Sequence, residues 1–475
     1  MSDIILSLSE PIEGNDLMHH LLTVKNAIRK GAKKRLFLLL DNSGSMGGMR
    51  IDLVKHACKA IISSSNENIE ICIFTFSTDS VKLTNLEIMN VNNKRIFIDK
   101  ISSVCATNST NLLGGLQSIL DYIKSIANPS LIDTHCLVFT DGEPDDKTCG
   151  KYESLLNSYY ADTVNFNCII DVFGFGNSLS LDVLKIIYTT GKGLFSYISD
   201  INMMATIFNN YLANLFSTSI TNLEISFEIE NLTTGSIDFK TIKITNFLSL
   251  QERTFTISIP KGSIFGYFKL KYNDLINGTK VDKLIDFKEI PIVKDEHDKY
   301  LLTKYREELT IYLSNINNAT LSNLRSLLSK INNELICVQN KDPIITFATD
   351  ISSTDPNKGQ IEKAIFNHAS WGQYYLISIY QSHLNQITIN FKDESIQNYS
   401  GIVAQNILKS LDITFNSIPF VQTYVQSYFS SAPISSSTFN DRNSGCFDGN
   451  SKIEIYDTEK EEYKKISLKD IQPGD

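Results

Sequence analysis

No apolar stretch in this 475-residue chain is long enough to cross a bilayer, so a helical membrane span is excluded. The opening residues, Met1-Ser2-Asp3-Ile4-Ile5-Leu6-Ser7-Leu8-Ser9-Glu10, have neither a basic start nor a long apolar core and do not read as a secretory signal. Basic residues are in the minority, 44 against 53 acidic ones, for a net charge of −9 without a long block of either sign. That balance argues against nucleic acid or an anionic membrane as the main partner. The eight cysteines, Cys58, Cys72, Cys105, Cys136, Cys149, Cys168, Cys337 and Cys446, form no close pairs of the zinc or redox type. Several sit within apolar runs and read as small buried hydrophobes, and the expected compartment is therefore reducing, the cytoplasm. His368 and His383 lie far apart with no acidic or thiol cluster beside them, so each reads as a satisfied histidine rather than a ligand.

What is present begins with Leu36-Phe37-Leu38-Leu39-Leu40, an unbroken apolar run of the kind found in a strand buried on both faces of a parallel sheet. Asp41 then falls at the carboxyl end of that strand, where ligands bind in open α/β sheets. Ser43 and Ser45 follow on a turn loosened by Gly44, Gly47 and Gly48, and a helix is expected to begin near Met49. A second buried run, Cys136-Leu137-Val138-Phe139-Thr140, ends in the same way at Asp141-Gly142. Between the two, Thr110-Asn111-Leu112 precedes Leu113-Gly114-Gly115-Leu116, read as a loop entering a helix. Two carboxylates and three hydroxyls are hard donors that suit Mg²⁺ or Mn²⁺, and without a nearby His or Cys zinc is a poor fit. A small cation that keeps some of its water would leave a position for an outside ligand.

Two other readings compete. Asp and Ser at a helix start can be simple caps, but capping does not explain two strand ends carrying Asp with a Thr-bearing loop between them. An aspartate at a strand end can also be a phosphoryl-transfer nucleophile; haloacid-dehalogenase-like enzymes place another aspartate two residues on, and here that position is Ser43.

Residues 33 to 217 resemble a von Willebrand factor type A (VWA) domain, and the five positions match its metal-ion-dependent adhesion site. The resemblance implies that Ser43, Ser45 and Thr110 contact the ion directly or through water, that Asp41 and Asp141 act mostly through bound water, and that a carboxylate from a partner protein completes the shell. Ile69 to Phe76, Ile169 to Gly176 and Leu194 to Ile198 read as further strands, with a helical pattern over Leu181 to Ile187. The expected class is α/β, a doubly wound, mostly parallel, Rossmann-like sheet, within a chain of three or so domains.

From 218 to 292 the pattern becomes short alternating segments, Leu223 to Ile229, Ile242 to Ile244, Thr254 to Ile259 and Phe265 to Leu270, which argue for a small antiparallel β-sandwich. Residues 1–32 are an N-terminal segment from which Ile4 to Leu8 could add one strand. From 293 to 429 helical spacing returns: Tyr300, Leu301, Tyr305, Leu309, Tyr312 and Leu313 mark one helix, Leu321, Leu324, Leu327, Leu328 and Ile331 the next, and a further helix is expected through His383. This stretch resembles the intermediate region of proteins that join a type A domain to an intein-like Hint domain, and its expected role is structural.

Residues 430–445 are Ser-rich and read as a linker. Residues 446–475, opening Cys446-Phe447-Asp448-Gly449-Asn450-Ser451, look like the first block of a Hint domain, the self-processing module of hedgehog proteins and inteins. In such a module Cys446 would attack the Gly445 carbonyl to form a thioester, a step suited to an unhindered glycine carbonyl and a thiolate. The family supplies the required histidine and threonine well downstream, whereas this chain ends 29 residues after Cys446, so no cleavage is expected from it alone. The principal expectation is a metal-dependent protein-binding module, not an enzyme. The alternative is the precursor of an autoprocessing protein, inactive in this chain.

Overall fold

The computed structural model describes residues 4–27, 31–107, 109–126, 131–162, 166–176, 179–198, 201–317, 319–355, 358–389, 393–418, 452–457 and 462–467. Its central sheet runs in the order Lys192–Ile198, Ile169–Phe175, Asp133–Thr140, Lys34–Asp41, Ile69–Phe76, Ser80–Lys82, with the short Glu87–Ile88 also paired to Ile69–Phe76. The first five strands are parallel and the last two antiparallel to their neighbour. Lys34–Asp41 lies in the middle, so both of its faces must be apolar. Leu36, Leu38 and Leu40 enter one core with the helices Met49–Ser64 and Ile201–Ser217, while Phe37 and Leu39 enter another with Leu112–Ser125, Cys149–Tyr160 and Leu181–Thr190. That division is the doubly wound arrangement expected from the unbroken apolar runs.

One local expectation is corrected. Leu113 to Leu116 do not form a loop: the helix begins at Leu112, and Asn111 caps it by accepting from Gly114 N at 2.9 Å. Gly115 serves close packing, since a Cβ there would lie 2.8 Å from the Phe76 ring.

The sandwich is built from two stretches of chain. Thr218–Asn231, Ile237–Leu248, Ser263–Asp274 and Thr279–Asp286 form one sheet; Ile4–Ser9, Leu17–Asn26, Glu252–Pro260 and Ile292–Val293, with Ile12–Glu13, form the other. Ile4, Leu6, Leu8, Leu22 and Val24 share a core with Ile220, Ile225, Phe227, Phe247 and Phe268. The residues expected to be a separate N-terminal segment thus belong to the sandwich, contributing two long strands where only one was anticipated. Leu17–Asn26 escapes an alternation search because Leu21 turns into the α/β core while Leu22 and Val24 turn into the sandwich, giving consecutive buried positions.

The expected helical hairpin is present as His297–Ser314 and Thr320–Glu334, and Gln373–Asn385 ends near His383 as anticipated. The last of these helices covers the edge of the central sheet. Phe195 N donates to Gln381 Oε1 at 2.9 Å, Ser378 Oγ donates to Phe195 O at 3.2 Å, and Tyr197 stacks on Tyr374. An open sheet edge is a template for unwanted pairing, and this helix satisfies part of it. His383 is fully buried with Nδ1 against the Tyr399 hydroxyl at 2.8 Å, while His368 stays exposed.

At the amino ends of the central strands lies a buried ionic network. Lys34 Nζ donates to Asp133 Oδ2 at 2.6 Å and to the Thr218 carbonyl at 3.2 Å; His135 sits between Asp133, 3.1 Å from Nε2, and Asp171, 2.8 Å from Nδ1. Tyr211 donates a further hydrogen bond to Asp171. Carboxylates only accept, so both ring nitrogens must donate and the imidazole is held as a cation. Burial opposes that charge, but Asp133 and Asp171 outweigh it and raise His135 to about 9. Lys34 and His135 likewise overcome burial to hold the Asp133 carboxyl well below its usual range. A histidine whose folded value is raised contributes stability that is fully present below its ordinary 6.5 and lost as pH climbs through about 9. Unfolding free energy should therefore fall between pH 7 and 10 by on the order of 2–4 kcal/mol. Denaturant titration across that range checks it, and His135→Gln should flatten the fall; an unchanged slope in that variant would contradict the assignment.

Candidate metal centre

The register of the central strands delivers the two aspartates to neighbouring positions. Leu40 pairs with Phe139, so Asp41 and Asp141 emerge side by side at the carboxyl end of the sheet. Asp41 is fully buried and both of its oxygens are engaged: Oδ1 accepts from Ser43 N at 2.9 Å and Oδ2 from Thr140 Oγ1 at 2.7 Å. Thr140 also accepts from Gly142 N at 2.9 Å, so it ties the Asp41 turn to the loop after its own strand. It was quoted in the sequence only as a strand residue; its place directly before Asp141 is the signal that could have singled it out.

Ser43 is buried and Ser45 exposed, on a short 3₁₀ turn over Gly44–Met46 that is pinned by the buried Met46 side chain. Their hydroxyl oxygens stand 3.1 Å apart, bringing Asp41, Ser43 and Ser45 into one cluster open to solvent on the Ser45 side. Thr110 lies on a loop fastened to both flanking segments. Thr107 N donates to Asn42 O at 2.7 Å, Thr110 N donates to Asp145 Oδ2 at 3.1 Å, and Asp145 N returns to Thr110 O at 3.0 Å. Asp145, three residues beyond Gly142, is a positioning residue that sequence reasoning missed. Asn108 lies outside the described residues.

Asp141 differs from Asp41 in its partners. Its Oδ2 accepts from Arg50 Nη1 at 3.0 Å, whereas Oδ1 is buried without a hydrogen-bond partner. A buried carboxylate oxygen left in that state costs free energy that a cation would recover. Burial, with the charge of Asp141 adding to it, pushes the Asp41 carboxyl up to about 6 against the hydrogen bonds from Ser43 and Thr140. Two facing carboxylates, one half-exposed arginine and a pair of adjacent hydroxyls leave a local excess of negative charge. Among the described residues no three His, Cys, Asp or Glu side chains cluster as metal ligands. The side chains that do come together are the Asp41 and Asp141 carboxylates and the Ser43 and Ser45 hydroxyls, oxygen donors of the kind that suit a hard cation rather than zinc.

Gly445 and Cys446 lie outside the described residues. Beyond them Lys452–Asp457 and Glu462–Ser467 pair as an antiparallel hairpin. Burial raises the Cys58, Cys136 and Cys168 thiols and pushes Cys72 up to about 12, so none of these four is poised as a nucleophile.

Residues 36–210 match the sequence model of the von Willebrand factor type A domain. They form a type A domain. Residues 342–413 match the model described as VWA / Hh protein intein-like, which places the helices around Gln373–Asn385 in the intermediate region expected from the sequence. A von Willebrand factor A domain-containing protein of Dictyostelium discoideum is 27% identical over 206 residues, covering 42% of this chain and 21% of the relative. An uncharacterized Synechocystis protein is 25% identical over 197 residues, covering 41% of this chain and 44% of that protein. The chain therefore spans about a fifth of the Dictyostelium relative's length and under half of the Synechocystis one. A solved von Willebrand factor type A structure from Catenulispora acidiphila superposes with a TM-score of 0.50 at 13% identity, over 74% of this chain and 91% of that one. At that identity the likeness speaks for the fold alone. Type A domains are commonly protein-interaction modules.

Proposed function

We propose that the chain is a non-catalytic, metal-dependent protein-binding module of a reducing compartment, the cytoplasm, in which Mg²⁺ or Mn²⁺ held by Asp41, Ser43, Ser45, Thr110 and Asp141 engages a carboxylate of a partner protein. The observation that carries the reading is the buried, unpartnered Oδ1 of Asp141 beside Asp41 and the Ser43 and Ser45 hydroxyls. Hydroxyl and carboxylate donors would hold the ion, and the exposed Ser45 side leaves room for an incoming anion. A partner carboxylate at that point would be oriented by the ion rather than by an apolar pocket, so recognition would be lost with the metal.

Calorimetric titration with Mg²⁺ and Mn²⁺ tests it. The wild-type chain should show one saturable site, and Asp41→Ala and Asp141→Ala should each abolish it while retaining a cooperative thermal transition. Chelator should then release any captured partner. Metal binding that persists unchanged in both aspartate variants would remove the reading.

A further inference from the structure

Arg50, in the first turn of Met49–Ser64, is not among the five positions above, yet it touches the site at two points. Its Nη1 donates to Asp141 Oδ2 at 3.0 Å and to the Ser45 carbonyl at 3.3 Å, so it bridges the turn after one strand to the aspartate after the other. The pair is lopsided: the arginine side chain is 43% exposed and the aspartate 2%. A third segment shapes the space around the guanidinium. Gly176 follows the strand Ile169–Phe175 at φ +83°, and a Cβ there would come 3.1 Å from Arg50 Nη2.

We infer that Arg50 is a built-in competitor of the cation: its guanidinium neutralises Asp141 through Oδ2 while the site is empty of metal, and its positive charge has to move away before an ion or its water is taken up at the free Oδ1. The inference rests on the metal-binding reading above and adds a regulation of that site. A guanidinium has no acceptor and cannot join a cation's shell, and its charge repels the ion at close range. Half of the side chain already faces water, so it can swing outward without unpacking a core, whereas the buried Asp141 cannot follow it. The site then has two states, one closed by Arg50 and one open to metal. Apparent affinity for the ion is reduced by the fraction of molecules in the closed state.

Removing a positive charge would strengthen cation binding at any distance, so affinity alone does not identify a competitor. The stability of the metal-free chain does. If Arg50 is the counter-ion of a buried carboxylate, Arg50→Gln loses stability without metal and recovers it with metal; if it acts only through its long-range field, the metal-free chain is unaffected.

The experiment is Mg²⁺ calorimetry with thermal melts, with and without Mg²⁺, on wild type, Arg50→Gln and Lys151→Gln. Lys151 pairs with Asp146, the residue after the Asp145 that holds Thr110, and is a control for field effects. The expected result is an Arg50→Gln affinity about three- to tenfold tighter than wild type, a lower metal-free melting temperature and a larger upward shift on adding Mg²⁺, with Lys151→Gln close to wild type in all three. Equal affinity in Arg50→Gln and wild type, equal tightening in both variants, or a metal-free melting temperature in Arg50→Gln equal to that of wild type would overturn the competitor while leaving the metal site standing. Absence of Mg²⁺ binding in all three chains would overturn the metal reading and this inference with it.

Discussion

Lys34→Met should lose about 3–5 kcal/mol of folding stability, the cost of leaving a buried charge without its partner. The Lys34 and Asp133 side chains are 1% and 3% exposed, with the ammonium 2.6 Å from the carboxylate. Methionine replaces the aliphatic stem but not the charge. Asp133, His135 and Asp171 would then carry a net negative charge in a space closed to water, and the Thr218 carbonyl would lose its donor. The neighbouring residue supplies the comparison. Arg35 pairs with Glu70 at the same distance of 2.6 Å, but Glu70 is 31% exposed, so Arg35→Met should cost less than about 1 kcal/mol. Urea unfolding of the two variants beside wild type decides the matter: a loss in Lys34→Met no greater than in Arg35→Met would mean that the network is not the anchor its burial implies. Because these residues sit at the opposite end of the sheet from Asp41, Lys34→Met should bind Mg²⁺ normally below its melting transition.

This network also marks where the sequence stops being legible. The candidate metal centre could be read because each half of it announces itself locally: a strand buried on both faces writes a continuous apolar run, and the first charged residue after it must lie at the strand end. Asp41 and Asp141 follow from that rule, with Ser43 and Ser45 beside the first of them. Thr110 was read as a hydroxyl on a loop before a helix and matched to the family pattern, but the contacts to Asn42 and Asp145 that position this loop are encoded by no local periodicity. Lys34, Asp133, His135 and Asp171 belong to three strands and look like unrelated polar interruptions until the register sets Lys34 opposite Asp133. Arg50 is equally silent, because an arginine in the first turn of a helix ordinarily points to solvent. The sandwich was legible where its strands alternate and illegible at Leu17–Asn26, whose two faces meet two different cores. The role of Gln373–Asn385 as an edge cover depends on Gln381 and Ser378 finding Phe195, 186 and 183 residues away in the chain respectively.

The edge strand that this helix covers is the site of the second large effect. Gly193→Ala should destabilise the protein by about 3 kcal/mol, at the upper end of the range for forcing atoms into a packed interior. A Cβ at 193 would fall 2.0 Å from the Ile170 carbonyl oxygen and 2.5 Å from its carbon, both backbone atoms of the adjacent strand, which cannot rotate away as a side chain would. Relief requires the strand Lys192–Ile198 to move outward as a unit. The pairing is already irregular there, with a register shift between Lys192 and Phe195 and Lys192 at φ +56°, so little slack remains in the turn. Outward movement would also strain the bond from Leu194 N to Asp171 Oδ1, which holds one member of the ionic network, and the Gln381 and Ser378 contacts to Phe195 that hold the intermediate helices. The damage should therefore spread: amide exchange should accelerate at Phe195 and along Gln373–Asn385, while the Asp41 end keeps its Mg²⁺ affinity. Gly150→Ala, in the helix Cys149–Tyr160 with no atom within 4 Å of the added carbon, should do the opposite and gain roughly 0.5 kcal/mol from helix propensity. If Gly193→Ala instead matched wild type in urea, the strand would have room to relax, and its cover by the intermediate helices would be a loose contact rather than the seam that joins them to the type A domain.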